Sequence, residues 1–242
     1  SDPEHRAAAT TPRIGGIHFF GLCSGCNSGV QAGWDPAYCE MARALSAFVL
    51  GSPLLLPRGP LTMPADRVQP GAVARSVLVG ALALNPRLRV VNPETATALL
   101  EGHDSVPLPP TLRLGLALTL GPIARVTGSI AGYQMFRPKV RGQNIGMMSL
   151  AQIYFPPLAW QLADADRSVL FAHEGWVDVS DWLNRDPSIA VPLNRLVPRL
   201  PVVHPHRVSN GDDWVELLGD GACFIVESNN AIPSSWTSLD GT

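Results

Sequence analysis

Residues 72–85, AVARSVLVGALALN, are apolar on every face of a helix, with Arg75 as the single charge. A helix lying on a protein surface keeps a polar stripe toward water, and this one has none. Nor does it read as a membrane span. Arg75 and Pro86 interrupt VARSVLVGALALNPRL, just as Gly51-Ser52-Pro53 interrupt MARALSAFVLGSPLLL. Such a segment belongs at the centre of a globular core, and the rest of the chain has to supply layers around it.

The composition can do so. The chain has 242 residues, 46% hydrophobic and 16% charged, an ordinary globular balance that excludes wholesale disorder. Its 23 prolines fall mostly between apolar segments, which implies short elements joined by rigid turns. Asp35-Pro36 opens a helix, PAYCEMARALSAFVL, that runs to Gly51 with Met41, Leu45 and Phe48 on one face. The Pro-rich stretch SPLLLPRGPLTMPADRVQPG reads as a linker or a surface loop. NPETATALLEG reads as a short helix with Asn92 capping, Pro93 at its first position and Gly102 ending it. TLRLGLALTL suits a helix or a strand equally.

Beyond about residue 122 the composition turns β-branched and aromatic. IARVTGSIAGYQMF and MMSLAQIYF predict an antiparallel pair around the loop RPKVRGQNIG. DVSDWLN predicts a helical turn and ACFIVES a strand. The expected fold class is α+β: a small N-terminal module over 1–51, then a larger mixed α+β domain with an antiparallel sheet over 52–242.

A net charge of −2 gives no global positive field for a nucleic-acid partner, though local basic surface is compatible with it. The first residues, SDPEHRAAATTPR, are polar and do not form a signal peptide. Four cysteines over this length do not make a disulfide scaffold, so a reducing, cytoplasmic setting is expected, without a membrane. The sequence starts at Ser1, and further residues are expected upstream of it.

The stretch with the clearest chemistry is GLCSGCNSG, residues 21–29. A CxxC pair serves as half a zinc site, a redox dithiol or a disulfide. A thioredoxin-like dithiol needs a strand-to-helix turn in a βαβ unit, and nothing ahead of Cys23 supplies one. Zinc takes four ligands, and two-residue spacing lets one tight turn present Cys23 and Cys26 to the same ion. No second CxxC follows: Cys39 lies on the next predicted helix and Cys223 is far along the chain. His18, on an apolar run, fits a part-buried strand position better than a ligand.

Glu4 and His5 precede the CxxC, and Asn27 follows it directly. This arrangement resembles the HNH, or ββα-metal, nuclease family, in the subtype whose hairpin is pinned by zinc between two CxxC pairs. Phage recombination endonucleases and many bacterial HNH proteins are of that kind. The resemblance covers roughly residues 4–39 and implies a ββα zinc-knuckle module, with the first CxxC expected before Ser1. It implies His5 as general base, Glu4 and Asn27 as ligands of Mg²⁺ or Mn²⁺, and Cys23 and Cys26 on a structural zinc. The implied reaction is hydrolysis of DNA phosphodiesters, which needs a water nucleophile, a base and a cation for the leaving oxygen. The chain departs from the family in carrying RAAATTP after the His, where members carry a short apolar pair and Pro. Its third HNH position is unmatched, with Asp35 or Glu40 as stand-ins. The alternative is a non-catalytic zinc-knuckle protein that binds nucleic acid or protein.

Arg137, Lys139 and Arg141, between the two predicted strands, are candidate phosphate contacts or a solvated hairpin tip. VVHPHRVSNGDDW brings His204, His206, Asp212 and Asp213 close in sequence, but Pro205 and the Asp pair favour a plain loop. Trp34, Trp160, Trp176, Trp182 and Trp214 are expected in the core or at its rim. Asp178 to Trp182 read as a capped helix start. A protein partner or a homo-oligomer is compatible with all of this.

Overall fold

The computed structural model describes residues 33–50, 60–85, 87–120, 123–127, 130–134, 146–165, 175–203, 214–218 and 223–227. Together they form an α+β architecture of helices layered on an antiparallel sheet.

Helix α1 (Asp35–Leu50) and helix α2 (Pro70–Leu84) are the two long helices. In α2 only Ser76, Gly80 and Ala83 are half-exposed, and every other residue is buried. Its position is the central one that its all-round apolar surface demands. α1 is amphipathic: Met41 and Leu45 are buried, while Cys39, Glu40 and Arg43 face out. The larger core cluster takes Met41 and Leu45 from α1, Val73, Leu78 and Leu82 from α2, and Leu114, Trp160 and Leu162 from the sheet. The helix on the N-terminal side of the expected boundary at 51 thus shares its core with elements on the other side. Each fully buried Leu of this cluster contributes about 1.5–3 kcal/mol.

Strands β1 (Leu61–Thr62) and β2 (Arg67–Val68) lie in the Pro-rich stretch expected to be irregular. After α2 come the short helices α3 (Arg87–Val91) and α4 (Pro93–Leu100). Pro93 opens α4 as expected, but the Asn92 side chain makes no capping bond. Asn92 also closes α3, and both its backbone N–H and its Nδ2 donate to Leu88 O, at 3.0 and 3.3 Å. Its amide is therefore spent on the helix behind it. Gly102, at φ 74°, ends α4 as expected. His103 N donates to Ala98 O and Gly102 N to Leu99 O, the Schellman pattern that needs a left-handed residue.

The main sheet contains β3 (Leu112–Leu118), β4 (Ile123–Thr127), β5 (Ile130–Gln134), β6 (Gly146–Phe155), β7 (Leu158–Ala165) and β8 (Val177–Asp178). Past a 3₁₀ turn at Ser180–Asn184 come β9 (Val191–Pro192), helix α5 (Leu193–Leu196) and β10 (Arg199–Leu200). β11 (Trp214–Leu218) and β12 (Cys223–Glu227) complete the main sheet. Every pairing in it is antiparallel. The hairpin predicted around RPKVRGQNIG is present, since β5 pairs with β6 from Ala131↔Ser149 to Gln134↔Gly146. β4 pairs with β6 further on, at Arg125↔Tyr154 to Thr127↔Gln152. β4 and β5 thus follow one another along β6, and β12 and β11 follow one another outside them. Across the sheet the rows run β12/β11, β4/β5, β6, β7, β3, β8.

TLRLGLALTL resolves as strand. Its alternate leucines, Leu112, Leu114, Leu116 and Leu118, enter the core under the helices, while Ala117 packs on the opposite face with Tyr154, Ala159 and Trp176. Both faces are covered, so the run carries no polar alternation, which is why periodicity alone left it open. Trp34, Trp160, Trp176 and Trp182 are all buried, as expected of core aromatics. Trp160 and Trp182 meet edge to face at 6.3 Å. Among the described residues no helix is long and apolar enough to cross a membrane.

Candidate functional site

The residues that carry the family resemblance, Glu4, His5, Cys23, Cys26 and Asn27, lie outside the described residues. So do His18, Arg137, Lys139, Arg141, His204, His206, Asp212 and Asp213. The structure describes elements that adjoin several of them in sequence.

The stretch that holds the CxxC leads into α1, and α1 is firmly anchored. Trp34 O accepts from Ala37 N at 3.1 Å and opens the helix, while the Trp34 ring is buried. Asp35, one stand-in for the third HNH position, accepts a hydrogen bond from Ser76 Oγ at 2.7 Å. Its carboxylate ties α1 to α2. Glu40, the other stand-in, is exposed, as is the thiol-bearing Cys39.

The basic loop has a fixed root. Gln134 and Gly146, which flank residues 135–145 in sequence, are paired at one end of the sheet. β11 starts at that same end, with Trp214 opposite Tyr133. In sequence, Asp212 and Asp213 immediately precede Trp214.

Within the described residues, the most unusual charged group is Arg75. Its residue is fully buried at the N-terminal half of α2. Nη1 donates to Gly71 O at 3.0 Å and Arg185 O at 2.9 Å. Nη2 donates to Asp104 O at 2.5 Å and His103 O at 3.5 Å. The Trp34 ring lies 5.9 Å from the guanidinium carbon, within cation–π range. Burial pulls its pKa below the usual arginine range, and the nearby Asp104 and Asp186 carboxylates oppose that pull. Asp186 itself is held below the usual carboxylate range, chiefly by the Ser188 hydroxyl and backbone N–H. A perturbed, buried cation is a common mark of a functional site. Here both Nη atoms are occupied by main-chain carbonyls of this chain, so the guanidinium acts as a clasp. It joins α2 to the loops at 103–104 and 185.

A second polar feature crosses the sheet. The register places Cys223, Thr127, Gln152, Gln161, Gly115 and Asp178 in one row over six strands. Gln152 and Gln161 are buried, and Gln152 Nε2 donates to Gln161 Oε1 at 3.4 Å. Asp178 at the end of the row is committed elsewhere. Its Oδ1 accepts from Ser180 N and Oγ at 2.9 and 2.6 Å, and its Oδ2 pairs with Arg113 Nε at 3.2 Å. The capped helix start expected for Asp178–Trp182 is instead a side-chain turn from Asp178 onto Ser180, ahead of a 3₁₀ turn whose N-cap, Val179, makes no side-chain capping bond. Within the row the two buried amides of Gln152 and Gln161 satisfy each other.

Among the described residues no three His, Cys, Asp or Glu side chains come together as a metal site. The sequence marked Arg75 as the lone charge of α2 but gave it no partner or role. A lone charge inside an otherwise apolar helix was the available signal, and it points to a buried, multiply bonded guanidinium. Comparison with protein-family models, with curated proteins and with solved structures yields no match.

Proposed function

We propose that this chain is a metal-dependent endonuclease of the HNH type that hydrolyses DNA phosphodiester bonds in a cytoplasmic setting. The observation that carries the reading is the set Glu4-His5, Cys23-x-x-Cys26 and Asn27, followed by the anchored helix α1. The donor chemistry fits two different ions. Two thiolates supply half of the ligands of a tetrahedral zinc site. A carboxylate oxygen from Glu4 and an amide oxygen from Asn27 suit a hard divalent ion such as Mg²⁺ or Mn²⁺. That ion, when bound, supplies positive charge against the leaving oxygen. An imidazole is the side chain suited to proton transfer near neutral pH, and His5 takes the proton of the attacking water. Arg137, Lys139 and Arg141 hold phosphates of the target strand.

Metal removal tests the reading. Plasmid nicking is expected to vanish in EDTA and to return on adding Mg²⁺ or Mn²⁺, while zinc remains measurable by elemental analysis. Nicking that survives full chelation would count against it.

One observation favours the second reading, a zinc-knuckle binding protein with a degenerate nuclease site. The Asp35 carboxylate, a stand-in for the third HNH position, is engaged by Ser76. That reading predicts bound zinc and no cleavage with either divalent ion.

A further inference from the structure

We propose that the clip built by residues 60–68 and 191–200 is a second contact surface for nucleic-acid phosphates, read by Arg67, Arg195 and Arg199; this rests on the DNA reading above. Two miniature antiparallel ladders make the clip. Leu61 and Thr62 pair with Leu200 and Arg199, and Arg67 and Val68 pair with Pro192 and Val191. Leu193 N donates to Asp66 O at 2.8 Å and Asn194 N to Pro64 O at 3.1 Å between them. The inner side is core: Met63, Val68, Leu193, Val197 and Leu200 are buried. The clip is thus a rigid frame, and its outward positions are fixed relative to one another.

Those outward positions carry the three arginines, all exposed. Arg67 donates one N–H to Ala190 O, which braces its stem. None of the three forms an ion pair among the described residues. Asp66 is the one acid within these two segments, so the frame has a net positive face on a chain of net charge −2. Paired Cα atoms lie roughly 5 Å apart, and one helical turn separates Pro192 from Arg195 by a similar distance. With the four-residue step to Arg199, at most about 13 Å, the three side chains start within a span of at most roughly 23 Å. That is at most about seven base-pair rises of ~3.4 Å.

The surface lacks what a protein partner needs. Ile189, beside the Arg67 brace, is the one large apolar side chain exposed within 60–68 and 189–200, whereas protein interfaces are built around a contiguous apolar centre. Phosphate binding needs no such centre, only cations that displace counterions.

The test is fluorescence anisotropy of a labelled mixed-sequence duplex with the full chain in EDTA, across a NaCl series. Wild type is expected to bind with a steep salt dependence. Each phosphate contact contributes about 0.9 to the slope of log affinity against log salt. The triple variant Arg67→Gln/Arg195→Gln/Arg199→Gln should lower that slope by roughly 2 to 3 and weaken binding roughly a hundredfold at 0.1 M salt. The double variant Arg195→Gln/Arg199→Gln keeps the Arg67 brace and should lower the slope by roughly 2. A slope that stays at the wild-type value in both variants overturns the proposal. So does polyglutamate competing as well as DNA, which would point to an acidic protein partner. Variant-sensitive binding by a chain that never cleaves would remove the nuclease reading and leave this surface. Cleavage with an unchanged slope would do the reverse.

Discussion

Alanine at Gly71 is expected to destabilise the protein by about 3 kcal/mol, toward the upper end of what overpacking costs. In an exposed helix the same change would stabilise by up to ~1 kcal/mol, because glycine is a poor helix former. Here the sign reverses. Gly71 is in the first turn of α2, against the loop at 185–186. A Cβ on it would overlap the carbonyl oxygen of Arg185 and stand 2.9 Å from Arg75 Nη1 and 3.0 Å from the carbonyl carbon of Asp186. Two of those three neighbours are backbone, and the third is pinned by its own hydrogen bonds, so none can swing aside. Relief requires moving the 185–186 loop off α2, which also breaks the bond from Arg75 to Arg185 O. For a chain of this size the thermal midpoint should fall by roughly 6–12 °C. A midpoint equal to or above wild type would show that the loop does not press on the helix as described.

Methionine at Arg75 is expected to cost a similar amount, about 3 kcal/mol. The volume is roughly kept and a buried charge is removed, which by itself is often neutral or favourable. The loss comes from the carbonyls. His103 O, Asp104 O and Arg185 O sit in loops without helical partners, and the guanidinium is the donor that draws both loops onto α2. Leaving part-buried acceptors without donors costs about 1–3 kcal/mol each, less whatever water recovers. Lysine should restore part of the stability, because an ammonium donates to several carbonyls but lacks the planar fork. Gly71→Ala and Arg75→Met act on one junction, so the double variant should lose less than the sum of the two. Chemical denaturation of the four proteins reads this directly, and strict additivity would refute the shared clasp.

These two residues also mark what was legible in the sequence and what was not. The central position of α2 followed from its having no polar face. The amphipathic pattern Met41, Leu45, Phe48 identified the inner face of α1, and the β-branched run after residue 122 announced the hairpin of β5 and β6. Each of these signals is local and strong. The burial of Arg75 depends on carbonyls up to 110 residues away in sequence, and no window around it contains them. The same holds for the clip, whose two halves are separated by most of the fold. Asn92 illustrates a smaller failure. The capping pattern was correct for α4, but the preceding helix α3 had a prior claim on the same amide. For the site, the sequence supplies residue types and spacing in Glu4, His5, Cys23, Cys26 and Asn27. The described structure adds the anchored helix α1 that follows them.

The most direct measurement for the nuclease assignment is the rate of plasmid nicking in Mg²⁺ by wild type and by His5→Ala at matched zinc content. Loss of a general base lowers a rate by about 10²–10⁴. The proposal predicts a drop in that range with zinc retained, since His5 is assigned no part in the zinc site. Equal rates for the two proteins, or no nicking by wild type with either Mg²⁺ or Mn²⁺, would contradict it.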